Sequence, residues 1–83
     1  MTRLTLYSRS YCHLCDDMLV ALRALVGETV PIEVVDVDAD PALVERYDEL
    51  VPVLVGRRDG EPPAQLCHYF LNENAVSAFI AGA

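Results

Sequence analysis

Polar and apolar positions alternate at the start of the chain and then change to a helical period. Residues 3–7 place Leu4 and Leu6 on one face, which is typical of a half-buried strand. From Cys12 onward, apolar residues recur at helical spacing and predict an amphipathic helix that ends at Gly27. The apolar stripe of this helix comprises Leu14, Met18, Leu22 and Leu25, with Leu19 and Val26 beside it.

Three later segments have the composition of strands. They are PIEVVDV at 31–37, VPVLV at 51–55 and AQLCHYF at 64–70, and each is rich in β-branched, apolar or aromatic residues. Asp59-Gly60 lies between the last two segments and is a turn signal typical of hairpins. We therefore expect the last two strands to pair in antiparallel fashion.

Two further helices are predicted from their capping residues. Asp40 can cap a short helix that has Pro41 at its first position and continues through residues 42–50, and Asn72 can cap a last helix. The last helix carries three apolar residues at helical spacing, Val76, Phe79 and Ile80. The order β-α-β-α-β-β-α predicts a single α/β domain over residues 1–83, with helices on both faces of a four-stranded mixed sheet.

Composition narrows the range of functions. With 53% hydrophobic and 23% charged residues, the 83-residue chain can build one core. A net charge of −7 argues against a nucleic-acid partner, because phosphate binding needs a basic surface. No apolar run reaches the roughly 18 residues of a membrane helix, and the amino terminus lacks the apolar part of a secretory signal. We therefore expect a cytoplasmic monomer with no membrane partner.

Two cysteines mark the junction between the first strand and the first helix. Cys12 lies at the predicted helix start, where free backbone N–H groups and the positive end of the helix dipole stabilise a thiolate and lower its pKa. Cys15 lies about one turn further along on the same side, within disulfide reach. His13, when protonated, would stabilise the thiolate further. The spacing indicates a redox pair in which Cys12 attacks and Cys15 resolves.

Other interpretations of these residues stay open at this point. The same cysteine spacing also occurs in metal sites, and small cysteines can simply pack at a helix start. Cys67 and His68 could add zinc ligands, but neighbouring strand residues point to opposite faces and cannot easily bind one ion. Cys67 is therefore interpreted as a strand thiol, and no metal site is predicted. Tyr11 either flanks a substrate groove or packs against the domain.

Residues 7–15, YSRSYCHLC, resemble the active-site segment of glutaredoxins. Val51-Pro52 stands where that family and the thioredoxins carry a cis-proline loop facing the cysteines, and the element order is similar over essentially the whole chain. The closest resemblance is to small bacterial glutaredoxin-like proteins. It implies a thioredoxin-like, glutaredoxin-type fold with sheet order 2-1-3-4 and a cis bond before Pro52.

The resemblance also implies roles for the residues around the cysteines. The backbone of Val51, oriented with Pro52, would pair with an extended substrate such as glutathione or a peptide. Arg9 stands where glutaredoxins place a basic residue that meets the glutathione carboxylate, although a solvated loop charge is an equally simple interpretation. Tyr11 and His13 complete the predicted substrate-binding set.

The chain departs from the glutaredoxin pattern after its last strand. Glutaredoxins usually carry Gly-Gly and an acidic pair there, which grip glutathione at a helix N-terminus, whereas residues 70–74 read FLNEN. Leu71 is bulky, Glu73 would repel a carboxylate, and residues 13–14 lack the proline usual between the cysteines. We therefore expect no bound cofactor, with glutathione as a possible co-substrate whose use these departures disfavour.

The predicted function is a thiol–disulfide oxidoreductase acting on protein or low-molecular-weight disulfides. Cys12 would form a mixed disulfide with the substrate, and Cys15 would then release the substrate by forming an internal disulfide. The alternative is a metal or iron–sulfur carrier in which two chains share a cluster through Cys12. A docking module with idle cysteines is a third possibility.

Overall fold

The computed structural model describes residues 1–82 and contains four strands and three α-helices. The strands are β1 (Thr2–Ser8), β2 (Ile32–Asp36), β3 (Val53–Arg58) and β4 (Ala64–His68). The helices are α1 (His13–Val26), α2 (Pro41–Tyr47) and α3 (Glu73–Ile80), and a 3₁₀ turn, Val37–Ala39, connects β2 to α2. The predicted order of elements is confirmed. No helix within residues 1–82 combines the length and the apolar character needed to cross a membrane.

The four strands form one mixed sheet in the order β2-β1-β3-β4. β1 is parallel to β2 through the α1 crossover and antiparallel to β3, while β3 and β4 form an antiparallel hairpin. The central position of β1 and β3 explains their run of buried side chains, since both faces of these strands are covered. The expected α/β fold class and sheet order are confirmed.

The sheet separates two hydrophobic clusters. α1 and α3 cover one face, where the buried residues are Leu4, Leu6, Met18, Leu22, Val26, Val30, Leu54 and Val76. α2 covers the other face, where the buried residues are Tyr7, Val37, Tyr47, Val53 and Val55. The neighbours Leu6 and Tyr7 enter opposite clusters, because successive side chains of a strand point to opposite faces. Helices therefore lie on both faces of the sheet, as predicted.

The starts of α2 and α3 and the end of α1 follow the predicted capping residues, whereas α2 ends at Tyr47, three residues earlier than predicted. The side chain of Asp40 accepts a hydrogen bond from the N–H of Ala42 at 2.9 Å. The side chain of Asn72 accepts one from the N–H of Ala75 at 3.0 Å. Gly27 ends α1 with a φ of 63°, a conformation that glycine adopts without steric cost.

The bounds of β1 and β2 differ from the prediction by one residue at each end, and the larger differences are in β3 and β4. β3 begins at Val53, two residues later than predicted, because the preceding Pro52 has no N–H to donate to the sheet. It continues to Arg58, three residues further than predicted. β4 ends at His68, two residues earlier than predicted, because Tyr69 has a φ of 64° and leaves the extended conformation.

The strand register brings three loops to one end of the sheet. Tyr7, near the end of β1, pairs with Val53 at the start of β3, and Val53 pairs with His68 at the end of β4. The segments that continue from these positions leave the sheet together, and they are residues 9–12, 51–52 and 69–72. This end of the sheet therefore holds the cysteine loop, the proline loop and the entry to α3.

Candidate active site

Cys12 and Cys15 form a disulfide at the N-terminus of α1. Their Cα atoms are 5.2 Å apart. Cys12 is the N-cap residue of the helix, and the N–H of Cys15 donates a hydrogen bond to its Sγ at 3.0 Å. A sulfur thus takes the capping position usually occupied by an oxygen, and it receives one of the N–H groups that have no partner inside the helix.

The two cysteines differ in their access to solvent. Cys12 is half-buried, whereas only 3% of Cys15 is exposed. Cys15 belongs to the buried face of α1 that includes Met18, so its side chain is shielded from external molecules. This asymmetry suits a pair in which the outer sulfur meets an external molecule and the inner sulfur reacts only with the outer one.

Tyr11 and His13 flank Cys12 on the surface. The side chain of Tyr11 is fully exposed, and its backbone has a φ of 61°. A left-handed conformation is unusual for a bulky residue and costs on the order of 1–3 kcal/mol. His13 is the first residue of α1 and is also exposed. The structure brings both residues beside the disulfide and leaves Tyr11 without packing against the domain.

Val51 and Pro52 lie at the same end of the sheet as the cysteine loop. Their peptide bond is cis, which confirms the bond expected before Pro52. The N–H of Val51 donates to the carbonyl of Tyr47 at 3.1 Å, and the carbonyl of Pro52 accepts from the N–H of Tyr69 at 3.0 Å. Within residues 1–82, the N–H of Val51 is therefore already bonded to Tyr47. The carbonyl of Val51 is the backbone group that remains for an extended substrate.

Arg9 is occupied by two carboxylates of the domain itself. Its guanidinium donates two hydrogen bonds to Asp38, at 2.8 and 3.1 Å, and one to Asp48. Hydrogen bonding from Arg9 holds the pKa of Asp38 below its usual range, and the same bonds raise the pKa of Arg9. The structure therefore joins Arg9 to the β2–α2 connection and to the end of α2, while its predicted contact with a substrate carboxylate stays a prediction.

An apolar groove beside the cysteines was not predicted. It has a volume of about 190 Å³ and lies between α1 and the segment that follows β4. Its lining residues are Leu14, Asp17, Met18, Ala21, Tyr69, Phe70 and Leu71. The side chain of Phe70 is 70% exposed, which is unusual for an aromatic residue without a partner. The sequence pattern assigned Phe70 to a strand, and the left-handed backbone of Tyr69 changes its direction.

A model of the Glutaredoxin-like domain (DUF836) family matches residues 3–81. The chain belongs to this family. The resemblance found in the sequence is therefore confirmed over nearly the whole chain. None of the curated proteins compared with the chain matches it.

Solved structures are similar to this glutaredoxin-like protein throughout its length. The solution NMR structure of protein Ne2328 from Nitrosomonas europaea is 34% identical, with a TM-score of 0.80, over 94% of this chain and 89% of that one. An X-ray structure of a structural genomics target from X. campestris is 31% identical, with a TM-score of 0.64, over 96% of this chain and 97% of that one. Oxidised mitochondrial thioredoxin 3 from Saccharomyces cerevisiae has a TM-score of 0.72 at 20% identity, over 99% of this chain and 78% of that one. This similarity shows that the fold is thioredoxin-like.

The N-terminus of α3 in this glutaredoxin-like protein carries its own cap. Asn72 accepts the N–H of Ala75, and Glu73 adds a negative charge in the first turn. Leu71 packs against the cluster under α1. This helix end is therefore less favourable for a ligand carboxylate, because Asn72 satisfies one of its free N–H groups and Glu73 offsets part of the positive dipole.

Cys67 and His68 do not join the cysteine pair in a metal site. Within residues 1–82, no group of three or more histidine, cysteine or acidic side chains is placed to hold a metal ion. Cys67 is a half-buried free thiol, and His68 is exposed and packs edge-on against Tyr69 at 4.7 Å between ring centroids. The carrier function, which requires a second chain, stays a prediction.

We expect Cys12 to be alkylated much faster than Cys67 in the reduced protein. Burial raises the pKa of the Cys67 thiol, so its thiolate fraction at pH 7 lies below that of an ordinary cysteine. Both cysteines are half-buried, but Cys12 lies at the N-terminus of α1, where free N–H groups and the helix dipole stabilise a thiolate, and we expect a rate at least about tenfold higher with iodoacetamide. Peptide mass spectrometry over time measures both rates, and equal or faster labelling of Cys67 would contradict this reading of the site.

Proposed function

We propose that this protein is a dithiol oxidoreductase that reduces disulfides with the Cys12–Cys15 pair. A thioredoxin-like fold with two cysteines at disulfide distance points to redox chemistry in general. The observation that carries the proposal is the position of the pair. Cys12 is accessible at the N-terminus of α1, and Cys15 is buried behind it.

The reaction needs only these two side chains and a substrate disulfide. The thiolate of Cys12 attacks one substrate sulfur, the substrate S–S bond breaks, and the other sulfur leaves as a thiolate that takes up a proton. Cys15 then loses its proton and attacks the Sγ of Cys12, which expels the second substrate thiol. The substrate gains two electrons and two protons, and the Cys12–Cys15 disulfide forms. A cellular thiol or dithiol reverses these steps to restore the reduced pair.

The surroundings of the pair favour a protein disulfide over glutathione. Arg9 is already paired with two carboxylates, and at the N-terminus of α3 Asn72 caps one N–H group while Glu73 adds a negative charge, so two positive sites for a small acidic thiol are weakened. Three apolar side chains are exposed at this end of the domain, namely Tyr11 and Leu14 next to the cysteines and Phe70 in the groove that Leu14 lines. Such side chains gain by covering apolar surface of a partner, at about 25 cal/mol per Å².

We expect neutralisation of the partners of Arg9 to improve the use of glutathione. In an Asp38→Asn/Asp48→Asn variant, Arg9 is free to meet a glutathione carboxylate, and KM for glutathione should fall by about twofold to fivefold, as for one exposed ion pair. A Glu28→Gln/Glu45→Gln variant removes the same charge elsewhere and should leave KM unchanged. If Arg9→Ala instead raises KM in the otherwise native protein, the paired arginine already binds glutathione and the expectation is wrong.

A redox titration tests the proposed function directly. The protein is equilibrated in glutathione buffers of graded ratio, then alkylated and measured by intact mass. We expect one two-electron transition that removes two alkylation sites, with the glutathionylated form remaining minor. In that couple, a tenfold change in the equilibrium constant corresponds to about 30 mV. A chain whose Cys12 and Cys15 stay reduced under mild oxidation cannot carry out the proposed reaction.

A further inference from the structure

A second cavity lies on the α2 face of the sheet, away from the cysteines. Its volume is about 330 Å³, within the range of small-molecule sites. Its lining residues are Tyr7, Leu43, Arg46, Tyr47, Val55, Arg57, Pro63 and Gln65. None of them is a cysteine or a predicted substrate-binding residue. The lining contains two of the six arginines of the chain and none of its 13 acidic residues.

Arg57 is held across the sheet by two hydrogen bonds from its guanidinium. Its Nε donates to the hydroxyl of Thr5 at 3.0 Å, and its Nη2 donates to the hydroxyl of Tyr7 at 2.9 Å. A guanidinium has five N–H donors, so these two bonds fix its orientation and leave others for a ligand. The hydroxyl of Tyr7 acts as acceptor in its bond, which leaves its own proton available to be donated into the cavity.

Arg46 supplies a second positive charge to the cavity from α2. Its guanidinium carbon lies 5.4 Å from the ring centroid of Tyr47, and Tyr47 stacks on Tyr7 at 4.6 Å between centroids. The two stacked rings thus line the cavity between the two arginines. Leu43, Val55 and Pro63 add apolar surface to the walls.

Neither arginine of this cavity is neutralised by the domain. Among residues 1–82, no carboxylate lies within 4.0 Å of Arg46 or Arg57. By contrast, the domain pairs three other arginines with carboxylates, namely Arg3, Arg9 and Arg58. In a chain of net charge −7, two unpaired guanidiniums at one concave surface form a local site of positive potential.

We propose that this cavity binds a small organic oxyanion, a carboxylate or a phosphate monoester. Arg57 and Arg46 bind the charged oxygens, because guanidinium donors match the geometry of both groups. The Tyr7 hydroxyl adds a donor, and the apolar remainder of the ligand packs on Leu43 and Val55. The site lies on the opposite face of the sheet from α1, and the proposal is independent of the dithiol function.

Titration followed by NMR of the ¹⁵N-labelled protein tests the site. The probes are phenyl phosphate, benzoate and inorganic phosphate, each added at constant ionic strength. We expect saturable shifts of the Arg57 Nε–H and the Gln65 side-chain amide, with a Kd of about 1 mM or below for at least one of the two aromatic probes. Preference for phenyl phosphate identifies a phosphate monoester, and preference for benzoate identifies a carboxylate.

Three charge-matched variants decide whether the cavity is responsible. Arg46→Gln changes a side chain that is exposed on α2, and it should weaken binding at least tenfold, as should Arg57→Gln. Arg23→Gln, on the exposed surface of α1, should leave the affinity unchanged. Shifts that do not saturate, or that persist equally in Arg46→Gln, overturn the proposal. Inorganic phosphate binding as tightly as phenyl phosphate would overturn the role given to the apolar wall.

Discussion

Replacement of Cys12 by serine is expected to abolish disulfide reduction. The hydroxyl has no accessible anionic form at neutral pH, so it cannot replace a Cys12 thiolate at the N-cap, where the Sγ of Cys12 accepts from the N–H of Cys15 in the disulfide form. We expect the rate with a protein disulfide to fall by at least about 100-fold, which corresponds to about 2.7 kcal/mol in the activation free energy. A turbidity assay of disulfide reduction in insulin measures the loss.

Replacement of Cys15 by serine is expected to give a different result. Cys12 can still attack, but the buried residue behind it no longer releases the substrate, so a mixed disulfide accumulates. Intact mass spectrometry should show one covalent adduct per chain in Cys15→Ser and none in Cys12→Ser. Cys67→Ser is the control and should keep native activity. An adduct on Cys67, or equal turnover in Cys12→Ser and the native protein, would contradict the assignment of the outer sulfur as nucleophile.

Gly56→Ala adds only one methyl group, but we expect it to destabilise the fold strongly. Gly56 is buried in β3, and a Cβ built there would lie 2.5 Å from Cε2 of Phe79 in α3. The Phe79 ring is confined from another side, because the guanidinium carbon of Arg58 lies 4.0 Å from its centroid. We expect a loss of about 1–3 kcal/mol in the free energy of unfolding. For a domain of this size, that lowers Tm by about 5–20 °C.

A double-mutant cycle isolates the contact between Gly56 and Phe79. Phe79→Leu removes the ring, so Gly56→Ala should cost clearly less in that background, with a coupling of about 1 kcal/mol or more. Chemical denaturation of the four proteins gives all the values. If Gly56→Ala costs the same with leucine at position 79, the destabilisation does not come from this ring.

Much of the fold was predictable because its signals act over a few residues. Asp40 and Asn72 cap their helices, and Gly27 ends α1. Each of these features depends only on the residue itself and on the adjoining helical turn, so the sequence shows it directly. The strand ends were less predictable. The end of β4 depends on the left-handed backbone of Tyr69, a conformation for which a tyrosine gives no signal in a sequence.

The candidate site likewise has one part that the sequence predicts and another that it does not. The spacing of Cys12 and Cys15 at a helix start predicts their proximity, because one helical turn separates them. The groove with Phe70 could not be predicted, since its walls come from α1 and from the distant segment after β4. The partners of Arg9 were equally hidden, because Asp38 and Asp48 lie 29 and 39 positions away in the sequence.

The sequence by itself determined the order of elements, the two hydrophobic faces and the position of the cysteine pair, because periodicity, capping and one-turn spacing are local properties. The tertiary structure alone decided which charges are cancelled. Arg9 pairs with two carboxylates, whereas Arg57 bonds to the hydroxyls of Thr5 and Tyr7, which leave its positive charge uncompensated. Charge compensation depends on distances of a few ångströms between residues remote in the chain, and only the packed sheet sets those distances.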